Sequence, residues 1–481
     1  MNLEKYFLLS ILYFWASSTS LSFGVGYYTL YRPVITGLLT GIVLGRPYVG
    51  MAAGAVVNIL YMDFVSTGGS LKADQCLTAI ISAVSSVLLG LTPVEALAVA
   101  YPFGYLGTLI WKYRLKINTV FVKKYDNAFS KKINPDITLY NGFMPQILLY
   151  VVSTVIAVPA VIVVTLLGEY IYGIRNALYL AGFFLIFTSM FYTLYKMDKK
   201  SNLIFIFLFM SMLIMNFSSY IIFAIFLFVL AYLSDKNLIS TDYNKAKKSG
   251  IISKTDLFYS WAVWMNFSHS CYSFERMQGM AYAQSMKRIF RKLYGGSDAQ
   301  YEAVHRHSAF FNTEPNIGTP IHGYIISLEE NNIKNNSDEK NVMFMKKGMM
   351  GIAAGMGDSY TQVVLTPLFI SMSVLLCLDG RYIASIIPVI MLALIILAIS
   401  YTGFMKGYYL GRESLIERIN IVKNSKIKFY FSYIFSGILG SSLGRLLTTY
   451  NLSKNLTVYL LIGIISLSYV TVKIKRSLNQ Q

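Results

Sequence analysis

Long uncharged apolar runs alternate with short polar breaks along this chain. Tyr140–Gly168, Asn176–Tyr195, Leu203–Leu233 and Tyr382–Met405 contain no Asp, Glu, Lys or Arg. A helix needs about 20 apolar residues to cross roughly 30 Å of hydrocarbon, so each run predicts a membrane span. The apolar stretch Tyr6–Tyr31 lacks a basic leading segment and a small-residue cleavage site. It reads as a first membrane segment rather than a removed signal peptide.

The polar breaks divide the chain. Residues 1–234 form one membrane domain, and 235–256 form a basic linker with Asp235, Lys236, Lys245, Lys247, Lys248 and Gly250. Residues 257–481 form a second module, amphipathic and helical over 257–346 and membrane-spanning over 347–475. Gly37, Gly41, Gly45, Gly50 and Gly54 recur every four or five residues, a pattern that suits close helix packing through small residues. The polar insert from Ser66 to Gln75 fits either an ordinary loop or a re-entrant hairpin, because irregular backbone at membrane depth needs protein or water around it. A second Gly-rich segment, Lys347–Ser359, reads as a hairpin or broken helix that presents Asp358 to a cavity. It is no phosphate-binding glycine loop, since no Lys-Ser/Thr follows and no strand precedes it. Paired Gly-interrupted segments, each ending near an Asp, point to transporters built from repeats. The expected fold is an all-α integral membrane protein, a multi-span helical transporter with re-entrant hairpins and two pseudo-related modules.

Composition agrees. The chain has 481 residues, 55% hydrophobic and 14% charged, with a mean hydropathy of +0.53; a soluble domain carries about 25% charged residues. The net charge of +19 raises nucleic acid as a partner, but its placement argues against that. Lys112, Arg114, Lys116, Lys123, Lys124, Lys131 and Lys132 lie in one polar connection over 112–139. Lys196, Lys199 and Lys200 mark another, Lys245, Lys247, Lys248 and Lys254 a third, and Lys473, Lys475 and Arg476 follow the last run. Cations beside span ends are positive-inside signals, and anionic membrane lipid is their nearest partner. Cys76, Cys271 and Cys377 are too far apart for a CxxC pair and read as small apolar packers.

Candidate chemistry is sparse. His305 and His307 are two residues apart, which fits no HExxH metal spacing, and ordinary packing roles suit all four histidines, His269 and His322 included. No metal or cofactor is expected. Two polar clusters stand out: Phe274-Glu275-Arg276-Met277-Gln278-Gly279, where helical spacing would put Glu275 and Gln278 on one face, and Phe310-Phe311-Asn312-Thr313-Glu314-Pro315, which breaks a helix before Ile321. A surface Glu275–Arg276 pair and a cap at Asn312 or Thr313 would explain them structurally. Carboxylates and amides facing a cavity would equally suit the hydroxyls of a hexose.

These clusters also carry a resemblance. Asn266–Gln278, His305–Pro315, Ser327-Leu-Glu-Glu330, Gly348–Asp358 and Gly407-Tyr-Tyr-Leu-Gly411 occur in the order of motifs in the IID subunit of mannose-family phosphotransferase permeases, which this region resembles. Upstream, Tyr31-Arg-Pro33, Gly41–Gly45, Ala73-Asp-Gln75 and Ala100-Tyr-Pro102 resemble the IIC subunit. The usual arrangement is two chains, so this one looks like a fusion at the 235–256 linker. Arg46 stands where the family often has Asp, Asn58 where it has Glu, Ser273 where Asn is common and Glu314 where His is typical.

The resemblance implies a multi-pass protein of the bacterial plasma membrane that binds an external hexose-type sugar and moves it inward by an elevator-like shift. It would present a sugar hydroxyl to a separate IIB protein, phosphorylated through IIA, and would perform no phosphotransfer alone. It also implies a homo-oligomer. The expected sugar site lies where the modules meet, with Asp74 and Gln75 from the first and Glu275, Gln278, Asn312 and Asp358 from the second. Two other readings are an ion-coupled secondary transporter using Asp63, Asp74, Glu95, Asp358 or Asp379, and a non-transporting receptor or assembly partner.

Overall fold

A computed structural model describes residues 2–18, 20, 22–62, 73–195, 199–214, 250–296, 298–335, 339–423 and 426–450. The 63–72 insert with Asp63, the linker as far as 249, Lys196, and the basic group Lys473, Lys475 and Arg476 lie outside these residues. The first module runs α1 (Leu3–Ser17), α2 (Pro33–Leu44), α3 (Pro47–Leu60), α4 (Gln75–Leu88), α5 (Pro93–Ser130), α6 (Met144–Leu166), α7 (Gly168–Gly173), α8 (Arg175–Tyr195) and α9 (Lys199–Ile214). The second runs α10 (Lys254–Phe267), α11 (Gly279–Tyr294), α12 (Asp298–His307), α13 (Thr319–Asn335), α14 (Glu339–Gly357), α15 (Thr366–Leu378), α16 (Tyr382–Leu410), α17 (Arg412–Lys423) and α18 (Lys426–Thr449).

Among the described residues, five helical stretches are long and apolar enough to cross a membrane: Pro93–Ser130, Leu139–Leu166, Arg175–Tyr195, Lys340–Leu378 and Tyr382–Leu410. Three of them coincide with uncharged runs, and the run from Leu203 is helical as far as it is described, to Ile214. Ile147, Val155, Ile383, Ile387 and Leu394 are exposed on α6 and α16, as lipid-facing side chains must be.

The glycine-spaced region is a tight hairpin. Helices α2 and α3 have 12 and 14 residues, about 18 and 21 Å at 1.5 Å per residue, too short to span. A Cβ on Gly37 would sit 2.3 Å from the Gly50 carbonyl oxygen, so only glycine lets these backbones meet. Arg46 is exposed at the hairpin tip.

Three expectations are corrected. Tyr6–Tyr31 is not one segment: α1 stops at Ser17, and the described residues from there to Arg32, Ser18, Ser20, Gly24 and Gly26 among them, make turns and a short 3₁₀ helix, Gly26–Tyr28. Serine and glycine favour caps and turns over helix interiors. The basic connection 112–139 is mostly the continuation of α5, whose 38 residues extend about 57 Å. Its far end packs Val122 and Tyr125 into the core of the amphipathic part of the second module. Finally, 269–278 is turn rather than helix, with Met277 at φ 48°, so helical spacing does not place Glu275 and Gln278 together.

The Gly-rich segment before Asp358 does not reverse direction. Helix α14 continues through a π-helical segment, Asp358–Leu365, into α15. A second π segment, Leu139–Phe143, leads into α6. Each ends just ahead of a proline, Pro367 and Pro145. Proline lacks the N–H for the i−4 bond and crowds that carbonyl, so the helix widens there instead of kinking. Two carbonyls of this stretch also accept from side chains: Thr366 Oγ1 donates to the Thr361 carbonyl at 2.7 Å and Thr361 Oγ1 to that of Gly357 at 2.9 Å.

The modules share one apolar core, in which Val34, Met51 and Val56 of the first pack with Leu368, Phe369, Met372 and Leu392 of the second. Tyr48 stacks on Tyr382 at 4.7 Å between ring centres.

Candidate functional site

Past α1, the 3₁₀ helix Gly26–Tyr28 and the turn after it deliver Tyr27, Tyr28 and Tyr31 to the module junction. Together with Ser17 and with Trp111 of α5 they form one side of a cavity of ≈ 120 Å³. The other side comes from the second module: His269, Tyr272 and Gln278 after α10, the loop Asn312–Asn316, and Ala354, Asp358 and Gln362 on the α14–α15 rod. Aromatic walls with a few convergent polar groups are the usual make-up of a small-molecule site.

The Asn312–Asn316 loop is held in place by the protein. Gln278 clamps Thr313 with both ends of its amide, Oε1 accepting from the Thr313 N–H at 3.0 Å and Nε2 donating to its carbonyl at 2.9 Å. Trp264 Nε1 donates to the Pro315 carbonyl at 2.8 Å, and Asn312 Oδ1 accepts from the Tyr272 hydroxyl at 3.0 Å. Glu314 is buried and accepts from Tyr28 OH at 3.0 Å, Asn316 Nδ2 at 2.8 Å, and the backbone N–H groups of Asn316 and Ile317 at 3.0 and 2.6 Å. Burial pushes its carboxyl up, and those donors pull it back. The Tyr28–Glu314 bond ties the modules together at the cavity wall. Gly357 makes room for Glu314, whose Cβ would lie 2.2 Å from a Cβ at that position.

Asp358 is half-buried at the start of the π segment, and its Oδ1 accepts from Gln362 Nε2 at 2.8 Å. π turns recur at functional sites because they re-aim side chains from one helix face. Two other buried atoms on this wall, Thr313 Oγ1 and Asn316 Oδ1, have no hydrogen-bond partner in the protein. Ser17 Oγ and Tyr31 OH on the facing side are likewise buried without a partner in the protein, although buried polar atoms are satisfied in the great majority of cases. Burial, with the charge of Arg114 nearby, holds the His269 imidazole down to about 4, so it is neutral at pH 7.

Of the residues picked out from sequence, Gln278, Asn312 and Asp358 line this cavity. Asp74 is fully buried behind it, capping α4 through the Leu77 N–H at 3.0 Å and accepting from Tyr13 OH at 2.6 Å. Gln75 is buried beside it with its Oε1 unpartnered. Glu275 lies at the surface, 3.7 Å from Lys123. Arg276 does not pair with it but binds Asp126 at 2.6 Å. Sequence reasoning missed the wall of Tyr27, Tyr28, Tyr31 and Trp111; the signal available was a tyrosine cluster among Gly24 and Gly26 inside an apolar run. Among the other departures from the family pattern, Asn58 is buried and its Oδ1 accepts from the Val34 N–H at 2.8 Å.

A helical membrane protein with an aromatic-walled cavity carrying a few polar groups between two modules is the class these features define. Residues 4–233 match the family model "PTS system sorbose-specific iic component" and residues 251–441 match "PTS system mannose/fructose/sorbose family IID component". The chain belongs to this phosphotransferase permease family, with a IIC component followed by a IID component in one polypeptide. It is a multi-pass protein of the bacterial cell membrane. The "Fructose permease IID component" of Bacillus subtilis is 33% identical over 170 residues, 35% of this chain and 62% of that protein. The "PTS system mannose-specific EIID component" of Escherichia coli is 32% identical over 161 residues, 33% of this chain and 54% of that protein. The chain thus spans just over half the length of these relatives. A cryo-electron microscopy structure of a mannose transporter in complex with a microcin is 27% identical, with a TM-score of 0.33, covering 42% of this chain and 70% of that one.

Proposed function

We propose that the junction cavity binds a hexose-type sugar and that the chain moves it inward and presents a hydroxyl to a separate phosphorylated IIB protein, itself charged by IIA. The observation that carries this reading is the wall on which buried Thr313 Oγ1 and Asn316 Oδ1 lack partners beside the Asp358 carboxylate. A hydroxyl-rich neutral ligand satisfies both acceptor and donor gaps, and Tyr27, Tyr31 and Trp111 offer faces to its apolar C–H surface. In this reading Asp358, Asn312, Thr313 and Asn316 contact the sugar. Gln278 and Glu314 position the loop that carries three of them, and Asp74 and Gln75 support the wall from behind. Glu275 stands apart from it. The chain supplies cavity and movement and is no phosphotransferase by itself.

The test is uptake of labelled sugar by cells or vesicles holding the full chain. The label should accumulate inside as sugar phosphate, only when the cognate IIA and IIB are present with a phosphate donor. Accumulation of unmodified sugar that collapses with an uncoupler would establish the secondary-transporter reading instead. Assembly with further copies of the chain belongs to the same proposal, and native mass spectrometry of the detergent-solubilised protein measures it.

A further inference from the structure

A second cavity, ≈ 890 Å³ and unconnected with the sugar reading, is lined by α1, α10, α11 and the stretch leading into α6. Its floor is apolar and comes from both modules: Phe14 of α1, Phe143 ahead of α6, and Val263 and Phe267 of α10. Its rim is a row of four cations on α11, Lys287, Arg288, Arg291 and Lys292, and no acid lines it. Two carboxylates behind the rim answer part of that charge. Lys287 Nζ lies 2.7 Å from Asp136 Oδ1, while Arg288 Nε lies 2.8 Å from Asp256 Oδ1 and Lys292 also donates to Asp256. Four cations against two anions leave the rim positive, and the Arg291 guanidinium pairs with no acid among the described residues. Ser20 is 2% exposed and lines the same groove, and its hydroxyl has no hydrogen-bond partner.

The geometry points to a site for an anionic phospholipid, its phosphate on Arg291 and the neighbouring α11 cations and its acyl chains along Phe14, Phe143, Val263 and Phe267. The combination selects this occupant. A soluble anion would use the rim and ignore the floor, whereas an uncharged lipid would use the floor and ignore the rim. The groove also reaches Thr138, at the end of the basic stretch that begins at Lys112. Cations grouped at one level of a membrane protein mark the cytoplasmic leaflet, where anionic lipid resides. Because the floor draws on α1 and α6 as well as α10, the lipid would bridge the two modules.

The experiment uses the full chain, purified in detergent, stripped of lipid and titrated with phosphatidylglycerol or phosphatidylcholine of matched chains. Bound lipid is counted by native mass spectrometry and melting is followed in parallel. Phosphatidylglycerol should bind preferentially and raise the melting temperature. Arg291→Gln, at an exposed helix position, should weaken that binding about fivefold, the scale expected for one cation near a membrane surface. Val263→Trp, which fills the floor and leaves every cation, should weaken both lipids. Equal binding of the two lipids, unchanged binding in Arg291→Gln, or the same stabilisation by inorganic phosphate alone would each overturn the proposal. So would a second copy of the chain that excludes lipid from the groove.

Discussion

Asp358→Asn keeps the side chain's size and one acceptor oxygen while removing its charge. The Asp358 oxygen that accepts from Gln362 at 2.8 Å can be replaced by the asparagine carbonyl, so the π segment keeps its internal bond. The second oxygen becomes an N–H₂ donor. A hydrogen bond to a charged group contributes roughly 1.5–3 kcal/mol net, so losing one should weaken sugar binding about 10- to 150-fold. The position is only half-buried, and the melting temperature should move little. Asp74→Asn is the matching control. Asparagine caps a helix about as well as aspartate, but its single carbonyl oxygen cannot serve both Leu77 and the Tyr13 hydroxyl, which bond to different oxygens of Asp74. One buried donor is then left unsatisfied, costing about 1–3 kcal/mol of stability, with sugar affinity close to wild type. Sequence alone puts both aspartates in the sugar site; their placement separates them. The assay is equilibrium binding of labelled sugar to purified protein, with a thermal melt of each variant. Wild-type affinity in Asp358→Asn, or an equal affinity loss in a well-folded Asp74→Asn, would refute the reasoning.

Three other outcomes follow from the same geometry. Burial holds His307 to about 4, and although burial opposes ionisation of Glu329, its bond to His307 and the nearby charges of His307 and Arg306 hold it to about 2. Unfolded His307 protonates near 6.5 and the folded one only near 4, so His307 alone should take on the order of 3 kcal/mol from stability between pH 6.5 and 4, beside the shares of buried His269 and His322, with a further loss as Glu329 protonates on the way to pH 2. Melting temperature against pH checks this, and His307→Gln should make the upper part of the curve less steep. Glu95 caps α5 through the Thr92 N–H at 2.7 Å and pairs with Arg175 at 2.7 Å; Glu95→Ala should cost about 2–4 kcal/mol, combining cap and ion pair, measured as a drop in melting temperature at unchanged sugar affinity. Single cysteines at Lys131 or in the 235–249 linker, in a background without Cys76, Cys271 and Cys377, should resist impermeant reagents in intact cells, and labelling from outside would invert the topology.

What the sequence made legible follows from what each signal depends on. Uncharged runs longer than a bilayer is thick are local facts, so Leu139–Leu166, Arg175–Tyr195 and Tyr382–Leu410 could be read almost to their ends. The Gly37–Gly54 spacing was readable for the same reason, since a period of four or five puts small residues on one helix face. The α5 extension was not, because Lys112–Lys132 look like a loop when the face opposite the lysines is invisible; Val122 and Tyr125 are covered by the second module, more than a hundred residues away. The site divides along this line. Asn312 and Asp358 sit where a break in helical pattern shows in the sequence, at a Pro-terminated polar cluster and at the end of a Gly-rich run. Glu275 was misplaced because an assumed helix supplied its direction, and the left-handed Met277 turns the chain before Gln278. Glu314 shows what no local reading supplies. A carboxylate in a polar cluster looks like a ligand group, until Tyr28, 286 residues away in sequence, and the backbone of Ile317 arrive as donors. Its role as the tie between modules exists only in the folded chain, so the replacement of the family's usual histidine there is best understood as a change in how the cavity wall is fastened. In the proposed reading the sugar meets the neighbours it fastens, Thr313 and Asn316, which line the cavity.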